Sequence, residues 1–223
     1  MDQQQALPEP KGTVDHGHPH EEISVDDKRG YYDMMETALQ ELLIDKGLIS
    51  AGEIRHQLEV LDSRNEALGA KIVARAWVDS DFRQRLLANG RAACKEMGIS
   101  SYDDTELIVL ENTATVHNLI VCTLCSCYPR MVLGLPPDWY KLKPYRSRAV
   151  AEPRALLAEF GTIISEDVEI RVSDSTATVR YLVLPLRPSG TDDFTEGQLA
   201  ALVTRDAMIG VIPVTVSERR SAR

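Results

Sequence analysis

Three of the chain's four cysteines fall within six positions, in the run Val121-Cys122-Thr123-Leu124-Cys125-Ser126-Cys127-Tyr128-Pro129-Arg130. A C-x-x-C-x-C spacing on a tight turn lets all three sulfurs face a single ion. Soft thiolates select zinc, copper(I), iron–sulfur clusters or a strongly held transition ion. The set is one ligand short of a closed tetrahedral zinc site. His117 is the nearest further candidate, but it precedes Cys122 along an expected strand and would lie roughly 16 Å away if extended, which reads as a structural position. An iron–sulfur cluster would want a fourth cysteine, and Cys94 sits in a different element, where it reads as a small buried hydrophobe. The residues also allow another solution. If the peptide nitrogens of Ser126 and Cys127 were deprotonated, they could join the three sulfurs in a claw of five donors. One octahedral position would stay open, an arrangement suited to a trivalent Lewis acid. On the residues alone these options stand side by side with a non-catalytic zinc or redox module built on the same thiols.

The rest of the chain must position that loop. At 223 residues it is long enough for one large domain with an appended arm. A net charge of −9 argues against nucleic acid or an anionic membrane surface as a partner. No apolar run approaches the roughly 18 residues of a membrane span, and the N-terminus lacks the basic and apolar regions of a signal peptide. The expected location is cytoplasmic, where clustered cysteines favour metal binding or catalysis over structural disulfides.

Four parts are expected: a disordered tail over 1–27, a helical arm over 28–65 that contacts a partner subunit, a catalytic metal-binding domain over 66–212, and a flexible tail over 213–223. The first tail holds His16, His18 and His20, a spacing that can hold a metal loosely but reads chiefly as solvated. Apolar residues at three- and four-residue steps predict helices over 31–47, from Ser50 through Leu61, and over 67–77. A fourth is expected from Asp79 to a stop at Gly98. At Glu106 the texture changes to strands, at 107–110, 119–121, 168–172 and 179–184. Between the cysteines and Pro153 the chain is proline-rich and irregular. Pro153 opens a short helix closed by Gly161, and a last helix runs from Thr195 to Met208. The fold class is α+β: a helical arm, then a mixed domain with helices packed on a small sheet around the cysteine loop.

The run V-C-T-L-C-S-C-Y-P at 121–129 resembles the metal-binding motif of nitrile hydratase alpha subunits. Further segments resemble that family: Ala74 to Asp79, Glu111 to Thr113, Val116 to Asn118, Leu133 to Pro137, Trp139 to Lys141, Pro144 to Arg148 and Val203 to Gly210. The resemblance covers about residues 30–212. It implies that Cys122, Cys125 and Cys127 give thiolate sulfurs and that Ser126 and Cys127 give backbone nitrogens to the metal. It also implies that Cys125 is oxidised to a sulfinate and Cys127 to a sulfenate. Thr123, where iron-containing members usually have serine, implies non-corrin cobalt(III) rather than iron(III). The implied partners are a beta subunit, as one chain or split into two, whose arginines hold the cysteine oxygens, and an activator protein that delivers the metal. The implied reaction is hydration of a small nitrile to its amide.

One residue departs from the cobalt pattern, which usually has tryptophan after the Tyr-Pro; this chain has Arg130. That feature, with the histidine-rich N-terminus, resembles the metal-bearing subunit of thiocyanate hydrolase. A guanidinium there is a substrate-pocket candidate for an anion or a polar nitrile; its plain alternative is an interface ion pair. Trp77 and Trp139 are expected in the core or an interface; Arg171 and Asp174 could pair with each other beside the metal but, like Arg205 and Asp206, read chiefly as a solvated face.

Overall fold

The computed structural model describes residues 30–99, 104–125 and 127–216. The 1–27 tail with its three histidines, Ser126, and the end of the 213–223 tail from residue 217 onward lie outside the described residues. The chain divides into two compact units, one ending at Ala51 and one beginning at Gly52.

In the first unit, helix α1 spans Tyr31–Asp45. Its start is held by the Gly30 N–H donating to Asp33 Oδ2 at 3.0 Å. It ends where Gly47 adopts a φ of +64°, so that the Gly47 and Leu48 amides reach back to the last carbonyls. No α1 residue is buried, although Tyr32, Met35, Leu39 and Leu42 are large and apolar.

The second unit is built on helix α3 (Glu66–Val78), which follows α2 (Ala51–Asp62). Asn65 caps α3 by accepting the Ala67 N–H. The helix buries Gly69, Ala70, Ile72, Val73, Ala74 and Ala76. Small residues on this face allow close approach: a Cβ on Gly69 would stand 2.7 Å from Met208 Sδ and 2.8 Å from Leu133 Cδ2. The expected fourth helix is two, α4 (Ser80–Ala88) and α5 (Gly90–Glu96). The break is local chemistry: Asn89 accepts the Ala92 N–H and starts a new helix, and Gly90 lies so close to β1 that a Cβ would be 2.5 Å from Leu107 O.

Strands β1 (Glu106–Glu111), β2 (Val116–Val121), β3 (Glu169–Asp174) and β4 (Val179–Leu184) do not form one sheet. They make two parallel pairs, β1 with β4 and β2 with β3. Leu119, Ile120, Val121, Leu182, Val183 and Leu184 are all at most 2% exposed. Strands covered on both faces carry unbroken apolar runs rather than alternation, and each such side chain contributes about 1.5–3 kcal/mol by leaving water. Parallel pairing needs a long crossover. Here the stretch expected to be irregular supplies most of it as short helices α6 (Arg130–Leu133), α7 (Asp138–Lys141) and α8 (Lys143–Ala151), and the helix expected from Pro153 completes it as α9 (Pro153–Glu159). The expected last helix is also two, α10 (Glu196–Ala200) and α11 (Arg205–Ile209), because Thr204 acts as a second N-cap by accepting the Ala207 N–H. The α+β class thus holds, with the sheet divided in two.

His117 and Gly210 tie β2 to the end of α11. His117 Nε2 lies 2.7 Å from Gly210 O. Gly210 has a φ of +93°, and a Cβ there would collide with Asn118 O. Gly210→Ala is therefore expected to cost about 3 kcal/mol or more through backbone strain and overlap, read as a lower denaturant midpoint with an unchanged slope.

Candidate metal centre

Cys122 directly follows the last residue of β2, and the loop it opens runs to α6. Cys122 is buried at 1% exposure, Cys127 is half-buried and Cys125 is exposed. The Cys122 and Cys125 sulfurs are 3.3 Å apart, as are those of Cys125 and Cys127, and all three lie within 4.8 Å of one another. Sulfurs about 2.3 Å from a common ion stand roughly 3.3 Å apart at right angles and roughly 3.8 Å apart at tetrahedral angles. The observed spacing fits two edges of an octahedron. Among the described residues no fourth side chain joins the three cysteines, so a closed tetrahedral zinc site is not completed. The three sulfurs leave the other positions of such an octahedron to donors other than the described side chains.

Side chains from three distant elements hold those peptide groups. Asp174, the last residue of β3, lies opposite Val121 in the parallel register. Its carboxylate accepts the Thr123 N–H at 2.9 Å and the Thr123 hydroxyl at 2.5 Å. Arg146 of α8 donates from Nη1 to Cys125 O at 3.1 Å and Thr123 O at 3.4 Å. Tyr140 of α7 donates its hydroxyl to Cys127 O at 3.0 Å. Beneath them, the Tyr145 hydroxyl donates to Ile120 O at 2.7 Å and the Ser175 N–H to Val121 O at 2.8 Å. Trp139 and Phe160 pack edge-on against Tyr145.

Burial pushes the Cys127 thiol up to about 12, reinforced by its hydrogen bond with Cys125 and opposed by the charge of Arg180. Burial also pushes Tyr140 up, with the neighbouring Cys122 adding to the effect, so its hydroxyl remains a donor. The Cys127 thiol must therefore lose its proton to bind an ion through sulfur.

Arg130 is exposed at the start of α6, three residues past Cys127. Other residues singled out in the sequence have structural duties. Cys94 is fully buried, and burial pushes its thiol up to about 12. His117 is held by Gly210 at the far end of β2 from the cysteines, and burial pulls its imidazole towards the neutral form against that hydrogen bond. Trp77 donates Nε1–H to Pro185 O at 2.9 Å. Arg171 pairs with Glu169, leaving Asp174 to the loop. Asp174 lies on an exposed face, as expected, and from there it also anchors the cysteine loop, because the strand pairing sets it beside Thr123. Arg205 donates to Leu135 O, and burial raises Asp206 above the usual carboxylate range. Sequence reasoning placed no function on Tyr140 or Arg146, and considered Asp174 near the metal only as a partner of Arg171. The one signal for Asp174 was its position at the end of an expected strand.

The family model described as nitrile hydratase, alpha chain, matches residues 30–212. The low-molecular weight cobalt-containing nitrile hydratase subunit alpha of Rhodococcus rhodochrous is 58% identical over 183 residues, covering 81% of this chain and 88% of that one. Thiocyanate hydrolase subunit gamma of Thiobacillus thioparus is 41% identical over 204 residues, covering 85% of this chain and 84% of that one. Among solved structures, a recombinant thiocyanate hydrolase with partially modified cobalt centres superposes with a TM-score of 0.78 at 40% identity, covering 84% of this chain and 92% of that one.

Two outcomes follow from the geometry. Asp174→Ala, which frees Thr123, is expected to weaken metal retention by roughly 10- to 100-fold in competition with a chelator, while far-ultraviolet circular dichroism stays unchanged. Because burial pushes the Cys127 thiol up to about 12, the apparent affinity for cobalt should rise with pH, by about tenfold per unit for each proton displaced. Uptake independent of pH between about 6 and 8 would contradict this.

Proposed function

We propose that this chain, which belongs to the nitrile hydratase alpha-chain family, is the cobalt-bearing alpha subunit of an enzyme that converts a nitrile and water into the corresponding amide. The observation that carries this reading is the convergence of Cys122, Cys125 and Cys127 at right-angle sulfur spacing within a chain matched to the family over residues 30–212.

Cys122, Cys125 and Cys127 hold cobalt(III) through sulfur, and the backbone nitrogens of Ser126 and Cys127 complete five donors. Cobalt held there supplies Lewis acidity towards a nitrile or a water molecule at the remaining position. Cys125 is carried as a sulfinate and Cys127 as a sulfenate, whose oxygen is the nucleophile or the base for the attacking water. Asp174, Arg146 and Tyr140 keep the loop's peptides in place while the reaction proceeds, so that no reorganisation is required of them.

The functional enzyme is a hetero-oligomer. A beta subunit, as one chain or two, supplies arginines to the oxidised cysteines, and the apolar residues of the 28–65 arm are covered by that subunit. An activator protein delivers the metal in the cytoplasm. Among the described residues no helix is long and apolar enough to cross a membrane.

Arg130 supports a second reading, hydrolysis of thiocyanate. Its guanidinium is exposed and makes no hydrogen bond or ion pair with the described residues, leaving it free to receive an anion.

The assembled enzyme should contain cobalt, and its 122–127 peptide should carry three added oxygens, two on Cys125 and one on Cys127. Intact-mass and elemental analysis read both. Cys125→Ser should abolish turnover while leaving the helical content intact; near-normal turnover would remove the sulfur cluster from the mechanism. Nitrile turnover should exceed thiocyanate turnover, and faster thiocyanate hydrolysis would favour the second reading. Arg130→Trp should lower the ratio of thiocyanate to nitrile turnover by roughly tenfold, the worth of one charge-assisted hydrogen bond.

A further inference from the structure

A ligating amide nitrogen carries negative charge, and amide resonance shares that charge with the carbonyl oxygen of the same peptide. The nitrogen of Ser126 belongs to the peptide whose oxygen is Cys125 O. That oxygen is the one Arg146 Nη1 approaches to 3.1 Å. Asp174 and Tyr140 touch other peptides, those of Thr123 N and Cys127 O.

We infer that Arg146 is a positioning residue for the metal: its guanidinium clamps the loop by the Thr123 and Cys125 carbonyls and offsets the charge of the ligating Cys125–Ser126 peptide. The inference rests on the five-donor reading given above. One thiolate, one sulfinate, one sulfenate and two amide nitrogens bring five negative charges to a trivalent ion, an excess of roughly two. A fixed cation on the loop's own subunit lowers the cost of that excess, and a hydrogen bond from a charged donor is about twice as strong as a neutral one. The guanidinium is well placed to act without rearrangement. Tyr145, its neighbour on α8, is buried and bonded to Ile120 O at the end of β2, so the helix is pinned to the strand that launches the loop. Arg146 also lines an open cleft of about 520 Å³ with Thr123, Leu124, Lys143, Ser147 and Val150, and Lys143 adds a second cation on that side.

Arg146→Gln keeps a hydrogen-bond donor and removes the charge, whereas Arg146→Lys keeps the charge. Both are made in the cobalt-loaded assembled enzyme, with circular dichroism and subunit copurification as the checks on folding. X-ray absorption of the unaltered enzyme comes first. A cobalt shell of sulfur without nitrogen donors would overturn the five-donor reading and this inference together. With nitrogen donors present, Arg146→Gln should lose cobalt to excess EDTA about tenfold faster and shift the visible sulfur-to-cobalt absorption, and Arg146→Lys should restore most of both. Cobalt retention and spectrum unchanged in Arg146→Gln would overturn the inference alone. So would equal impairment of the two variants, which marks a role in shape rather than charge. Should Arg146→Gln fail to assemble, Arg146→Lys decides: loss within about threefold of the unaltered rate supports the inference, and loss tenfold faster or more overturns it.

Discussion

Because β2 and β3 run parallel in register from Val116 opposite Glu169 to Val121 opposite Asp174, both strands end at the same level. The loop that leaves β2 at Cys122 meets the carboxylate that ends β3. Without that register Thr123 would have no anchor, since Asp174 is distant from it in sequence. The same pairing demands a long crossover between the strands. That crossover folds back over the loop and brings Tyr140, Tyr145 and Arg146 onto it. A topological requirement of the sheet thus supplies most of the side chains that hold the metal centre.

These side chains bond to peptide groups and carbonyls, not to sulfur. Three soft donors on a short loop are enough to attract many ions, so the sulfurs alone do not select one. What distinguishes this loop is control of its backbone, which matters when backbone nitrogens are ligands. Asp174 receives an N–H and Arg146 and Tyr140 cover carbonyls, so the chain's own hydrogen bonds constrain the loop conformation. Preorganisation of this kind leaves less conformational entropy to be lost on binding. Burial keeps the Cys127 thiol neutral in the metal-free chain, so the polar surroundings prepare for a charge that appears only on loading. The half-buried Arg146 donates to the carbonyls of Thr123 and Cys125.

Much of this was legible in the residues. The cysteine spacing marked the centre, the shortage of a fourth ligand argued against closed zinc, and apolar periodicity located α1, α2 and α3. Caps were legible only in part. Asn89 and Thr204 each restart a helix where periodicity ran on, because a side-chain acceptor and a buried contact at the break outweigh the propensity to continue. The division of the strands into two pairs left no local trace, since the ends of β2 and β4, Leu119 to Val121 and Leu182 to Leu184, are apolar on both faces whichever neighbour they take.

Sequence by itself determined the ligand types, their spacing, the family resemblance and the α+β class, all of which depend on residues near one another in the chain. Only the tertiary structure decided that Asp174 faces Thr123 rather than Arg171, and that Tyr140 and Arg146 close over the loop. The physical reason is that hydrogen bonds act over about 3 Å, and strand pairing chooses which remote residues come within that reach.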